Sequence, residues 1–230
     1  MKVHDFGKPA QRRFRGALIA MCGATALLSL TPAGAVDLTL DQRTINDALL
    51  FGQSRVASDR QRFHQPYHIP VRSGEVDFID VVTPYRRLVL TAEDHVANAD
   101  RSFGYKQALA LLDATARQID LHVELTFHPL NVYVGVPAYR VVLAAADRKR
   151  VEPRTVGLYS RYTPRISERP SVTAIPGAAL QPGKSQPLIG GTMIAEFDGE
   201  TLVPTAAYDA VIVLDGKDVA RARIDLGKLR

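Results

Sequence analysis

At 230 residues and 46% hydrophobic side chains, the chain has material for one large domain or two small ones. Its net charge of +5 belongs mostly to the first 35 residues, where Lys2, Lys8, Arg12, Arg13 and Arg15 face a single acid, Asp5. The remaining 195 residues carry 24 Lys/Arg against 23 Asp/Glu, which argues against nucleic-acid binding through a basic patch.

The first 35 residues read as a secretory signal peptide. A basic start is followed by the apolar run Ala17 to Leu30 and by Ala33-Gly34-Ala35, an A-x-A cleavage pattern. The run is shorter than the ~20 residues that span a bilayer, and no later run is long enough, so no membrane span is expected after cleavage. The expected location is periplasmic or secreted. Cys22, the only cysteine, leaves with the signal, so neither a disulfide nor a thiolate ligand is expected in the mature chain.

Residues 36–118 read as a mainly helical region. Thr39-Leu40-Asp41-Gln42 has the form of a capping box, and Ile45, Ala48, Leu49, Gly52 and Val56 continue at helical spacing, which predicts a helix from about Leu40 to Val56. Phe63 to Pro70 reads as a connection, because Pro66 and Pro70 exclude a regular helix and a central strand. Val76 to Val82 is β-like. Thr83-Pro84 suits an N-cap followed by proline at the first helical position, with Leu88, Ala92, His95 and Ala99 continuing one face. A further helix is predicted over about Tyr105 to Gln118.

Residues 119–230 read as a β-sandwich domain. Ile119 to His128 alternates apolar and polar without a break, the pattern of a strand with one face on a core; its other face is expected to be solvated. Tyr139, Val141 and Leu143 alternate, and Thr155 to Tyr162 is a weaker strand. Residues 163–191 are rich in proline and glycine and read as a long loop. Asp198-Gly199 and Asp215-Gly216 are hairpin signals. Tyr208 to Lys217, with Leu202 upstream, resembles the last hairpin of immunoglobulin-like and fibronectin-like sandwiches. That resemblance implies a tyrosine hydroxyl bonded back to the preceding corner. The expected fold is α+β, with N-terminal helices packed on a C-terminal antiparallel immunoglobulin-like sandwich.

Candidate chemistry is sparse. His122 and Glu124 share a strand face about 7 Å apart, so a metal-dependent hydrolase would pair them with His64, His68 or His95. His128 lies too far along the same strand to join. No nucleophile elbow, phosphate loop or dinucleotide fingerprint is present, and no cofactor is expected. The second candidate surface is basic and aromatic: Arg150, Arg154, Tyr159, Arg161, Tyr162 and Arg165, suited to a cell-envelope protein or another acidic surface. These features favour a non-enzymatic binding or scaffolding protein of the envelope, with the hydrolase as the alternative.

Overall fold

The computed structural model describes residues 35–146, 149–162 and 187–230. They form four α-helices and nine strands in two antiparallel sheets, an α+β fold, within one compact unit. The five-stranded sheet runs β1 (His68–Ser73), β2 (Val76–Val82), β3 (Gln118–Thr126), β7 (Leu188–Asp198), β6 (Thr155–Tyr162). The four-stranded sheet runs β5 (Arg150–Val151), β4 (Arg140–Ala144), β8 (Ala207–Leu214), β9 (Lys217–Asp225).

The alternation in β3 does what alternation does: Ile119, Leu121, Val123 and Leu125 are all buried. They share one core with Ile79 and Val81 of β2, Met193 and Phe197 of β7, and the inner residues Val141, Leu143, Ile212 and Ile224 of the other sheet. Two sheets therefore enclose a common apolar layer. The strand is central, flanked by β2 and β7. Its outer face departs from expectation. Asp120 is buried there, and Arg87 reaches it at 2.8 Å, because the helix after β2 folds its arginines back over the sheet.

That helix, α3 (Pro84–Ala97), starts as predicted, with the Thr83 hydroxyl accepting from the Arg86 amide and Pro84 at its first position. The first helix, α1 (Gln42–Gly52), is shorter than its apolar pattern suggested. Asp41, not Thr39, caps it, since a carboxylate two residues nearer the helix accepts from the Thr44 amide at 2.7 Å. It stops at Gly52, where a Cβ would stand 2.6 Å from both the Ala92 Cβ and the Val89 carbonyl. The glycine thus sets how closely α1 approaches α3. α2 (Ala57–His64) falls where no helix was predicted; none of its residues is buried, so it has no apolar stripe to read. α4 (Tyr105–Ala114) ends four residues early, leaving Gln118 to open β3. The helices keep a second core of their own, including Ile45, Leu49, Tyr85, Leu88, Val89 and Phe103.

Three further expectations change. The connection expected over Phe63 to Pro70 gives its last residues to β1, so residues 36–118 supply a second strand beside the expected β2, and Gln118 already opens β3. Pro70 is tolerated because β1 is an edge strand. Asp198-Gly199 does not join neighbouring strands, since β7 and β8 belong to different sheets; a 3-10 turn, Gly199–Thr201, carries the chain across. The loop expected over 163–191 gives up its last residues to β7, which begins at Leu188; residues 163–186 lie outside the described set. Asp215-Gly216 does form a hairpin, with both residues at positive φ, 50° and 76°, as a type I′ turn requires.

Candidate functional site

Two surfaces gather the chemistry-bearing residues, and they lie at opposite edges of the five-stranded sheet.

The first is a cleft of about 610 Å³ between α2, β1 and β2, lined in part by His64, Gln65, His68, Asp80 and Arg86. Register builds it. His68, Asp80 and His122 stand side by side on three neighbouring strands, so they share the outer face. The His68 Nδ1 faces the Asp80 carboxylate at 3.1 Å, and as the carboxylate only accepts, Nδ1 donates and leaves Nε2 outward. Arg86 approaches Asp80 at 3.5 Å and donates to the Val81 carbonyl at 2.8 Å. Its Nε donates to His64 Nδ1 at 3.4 Å, which places the His64 proton on Nε2, facing Glu93 at 3.0 Å. Arg86 also lies over the Tyr67 ring, 4.9 Å from its centroid. Burial pulls the Arg86 pKa down from its ordinary value, and Asp80 partly opposes this.

Of the metal-ligand candidates, His64, His68 and His122 come into this neighbourhood, while His95 and Glu124 do not. His95 pairs with Asp100 at 2.7 Å and stacks on Phe103 among the helices. Glu124 is held by Arg161 and by the Thr192 hydroxyl, which donates at 2.7 Å. His122 is half-buried, and burial is the main cause that lowers its pKa; Asp120 and Asp80 oppose the shift. Among the described residues no three His, Cys, Asp or Glu side chains converge so as to hold a metal ion. The periodicity that paired His122 with Glu124 fixes their shared face, but not the partners that tertiary packing brings to each.

The second surface is β6. It ends the sheet, so among the described residues its outer edge is unpaired. Val156 and Leu158 pair with the core residues Ala195 and Met193, and so face the inner side. They are nevertheless 40% and 39% exposed. Tyr159 and Tyr162 are also exposed. The Tyr162 hydroxyl donates at 3.5 Å to the carbonyl of Val134, in a loop whose Leu130, Val132 and Val134 are 83%, 90% and 93% exposed. Among the described residues, seven of the thirteen exposed large apolar side chains therefore lie on β6 and this adjoining loop.

The basic residues named for binding divide. Arg150 and Arg154 are exposed beside β6. Arg161 crosses β7 to reach Glu124 and also donates to the Leu125 carbonyl at 3.1 Å. Gly190 makes that crossing possible, because a Cβ there would stand 2.6 Å from the guanidinium Nη2. Arg161 thus ties β6 to β3 across β7, on a side chain that stays partly exposed. Arg165 lies outside the described residues. Sequence reasoning missed Asp80 and Arg86. Asp80 signals itself only as a charge within a β-like run, and Arg86 as a charge in the first turn of a helix.

Comparison of the chain with family models, with curated proteins and with solved structures returned no match.

Proposed function

We propose that the chain is an exported protein of the cell envelope, periplasmic or secreted, that binds or scaffolds a partner rather than turning over a substrate. The reading of export rests on the N-terminal sequence pattern. The observation that carries the binding reading is β6. Among the described residues β6 is an unpaired edge strand with an exposed apolar row, a template for another strand, and exposed apolar surface with a polar rim is typical of protein docking sites. Arg150 and Arg154 border it, so the partner segment is extended and acidic. A second copy of β6 would bring its own arginines, and like charge disfavours that pairing.

The immunoglobulin-like form of the sandwich belongs to the same proposal. Its support is the Tyr208 hydroxyl, which accepts from the Val203 amide at 2.7 Å and so ties β8 to the preceding corner, as the sequence resemblance implies.

Photo-crosslinking residues placed at Leu158 and, as a control, at exposed Leu109 on α4 test the dock in cells. A partner captured from position 158, and lost when Arg154→Glu is added, is expected. Capture from 109 alone, or capture at 158 that ignores the charge reversal, contradicts the proposal.

A further inference from the structure

The cleft at the β1 edge is independent of β6, and its charges are unevenly satisfied. Both nearby carboxylates have partners: Asp80 has His68 at 3.1 Å and Arg86 at 3.5 Å, and Glu93 has His64 at 3.0 Å and Arg60 at 3.9 Å. Arg62, which also lines the cleft, makes no hydrogen bond or ion pair with a described residue. Arg86 is only 5% exposed and holds a second positive charge fixed behind Asp80. His68 keeps its Nε2 outward on a side chain that is 48% exposed, and its ring is steadied by Phe78 at 4.5 Å. Ser58, Gln61 and Gln65 add neutral hydrogen-bonding groups to the wall. The volume of about 610 Å³ is that of a small-molecule site.

We propose that this cleft binds a small molecule bearing a carboxylate or phosphate, with Arg62 as its anion contact and with His68 Nε2, Ser58, Gln61 and Gln65 holding its neutral part. The favoured ligand is anionic because, among the described residues, both nearby carboxylates are paired whereas the guanidinium of Arg62 is not. Guanidinium groups meet carboxylates and phosphates with two parallel hydrogen bonds. Asp80 acts as a positioning residue: its bond to Nδ1 fixes the tautomer and leaves Nε2 as an acceptor for a donor on the ligand. Arg86 in turn fixes Asp80. The Arg86 guanidinium beside Asp80 offsets the repulsion that its carboxylate would exert on an incoming anion.

The test uses the whole purified protein and two probes, inorganic phosphate and succinate, each titrated at constant ionic strength. Histidine ring nitrogens are followed by NMR and the melting temperature by calorimetry. At least one probe is expected to shift the His68 Nε2 resonance in a saturable way, and which probe does so separates a phosphate ligand from a carboxylate ligand. Arg62→Ala is expected to weaken that binding about tenfold, the loss of one charge-assisted contact, with the melting temperature of the free protein unchanged. Arg43→Ala, an exposed change on α1, is expected to leave binding intact. No saturable shift with either probe at millimolar concentration overturns the proposal. So does equal weakening by Arg62→Ala and Arg43→Ala, which would mark the effect as general charge attraction.

Discussion

Buried charge is the unusual feature at the level of single residues. Arg87 and Asp120 meet at 2.8 Å with side chains only 10% and 11% exposed. Gln118 completes the group, donating from Nε2 to Asp120 at 2.7 Å and accepting from Arg87 at 3.2 Å through its carbonyl. Removing one member of such a pair leaves a charge without water, so Arg87→Met is expected to cost about 3 kcal/mol. The double change Arg87→Met with Asp120→Leu is expected to recover most of that loss, since both desolvation costs vanish together. Urea denaturation of the three variants measures both. His122 offers a pH signature. Burial holds its folded pKa below the ordinary 6.5, so the unfolded chain binds the proton more readily. Its contribution to stability is complete above that value and is lost as pH falls through the lowered one. Wild-type protein is therefore expected to lose more stability than His122→Gln between about pH 7.5 and about pH 5, as read by paired denaturation curves.

Contacts between elements decide how the helices meet. Gly52 lies against Ala92 and the Val89 carbonyl, and the latter is backbone that has no rotamer to move. Gly52→Ala gains helix propensity but inserts a methyl where none fits. The packing term wins, and a net loss of about 1–3 kcal/mol is expected, measured by calorimetry. Gly190 poses the same constraint in a strand, where the missing side chain opens the path of Arg161. β6 pairs with the long strand β7, yet its Val156 and Leu158 stay exposed.

At the scale of the whole molecule, two apolar cores must be held together. Phe63 packs against both the sandwich core and the helical core. Its ring lies 4.8 Å from Phe51, 5.2 Å from Tyr67 and 5.8 Å from Tyr85. Arg230 adds a second tie. Its carbonyl accepts from Tyr67 at 3.0 Å and from Thr83 at 2.6 Å, and its guanidinium lies 4.5 Å from the Tyr85 ring centroid. Phe63→Ala is expected to cost at least about 2 kcal/mol. The loss should fall unevenly, with amide exchange rising in α1 and α3 before it rises in β3. Uniform exchange across both cores would show that they unfold as one unit without needing this contact.

Local features follow from residues that are neighbours in the chain. Strict alternation made β3 a strand with a buried apolar face, Thr83-Pro84 began a helix, and Asp215-Gly216 turned a hairpin. Each depends on bonds among near neighbours, so the residues that cause it are adjacent in the chain. Tertiary structure alone decided the partners. Glu124 meets Arg161 across an intervening strand, Asp120 meets an arginine 33 residues earlier, and Asp80 draws together His68 and Arg86. Even the capping of α1 turned on which of two nearby polar side chains reached the free amides first. Spacing along a chain fixes which face a residue occupies; sheet order and the fold of α3 over that sheet fix what it meets there.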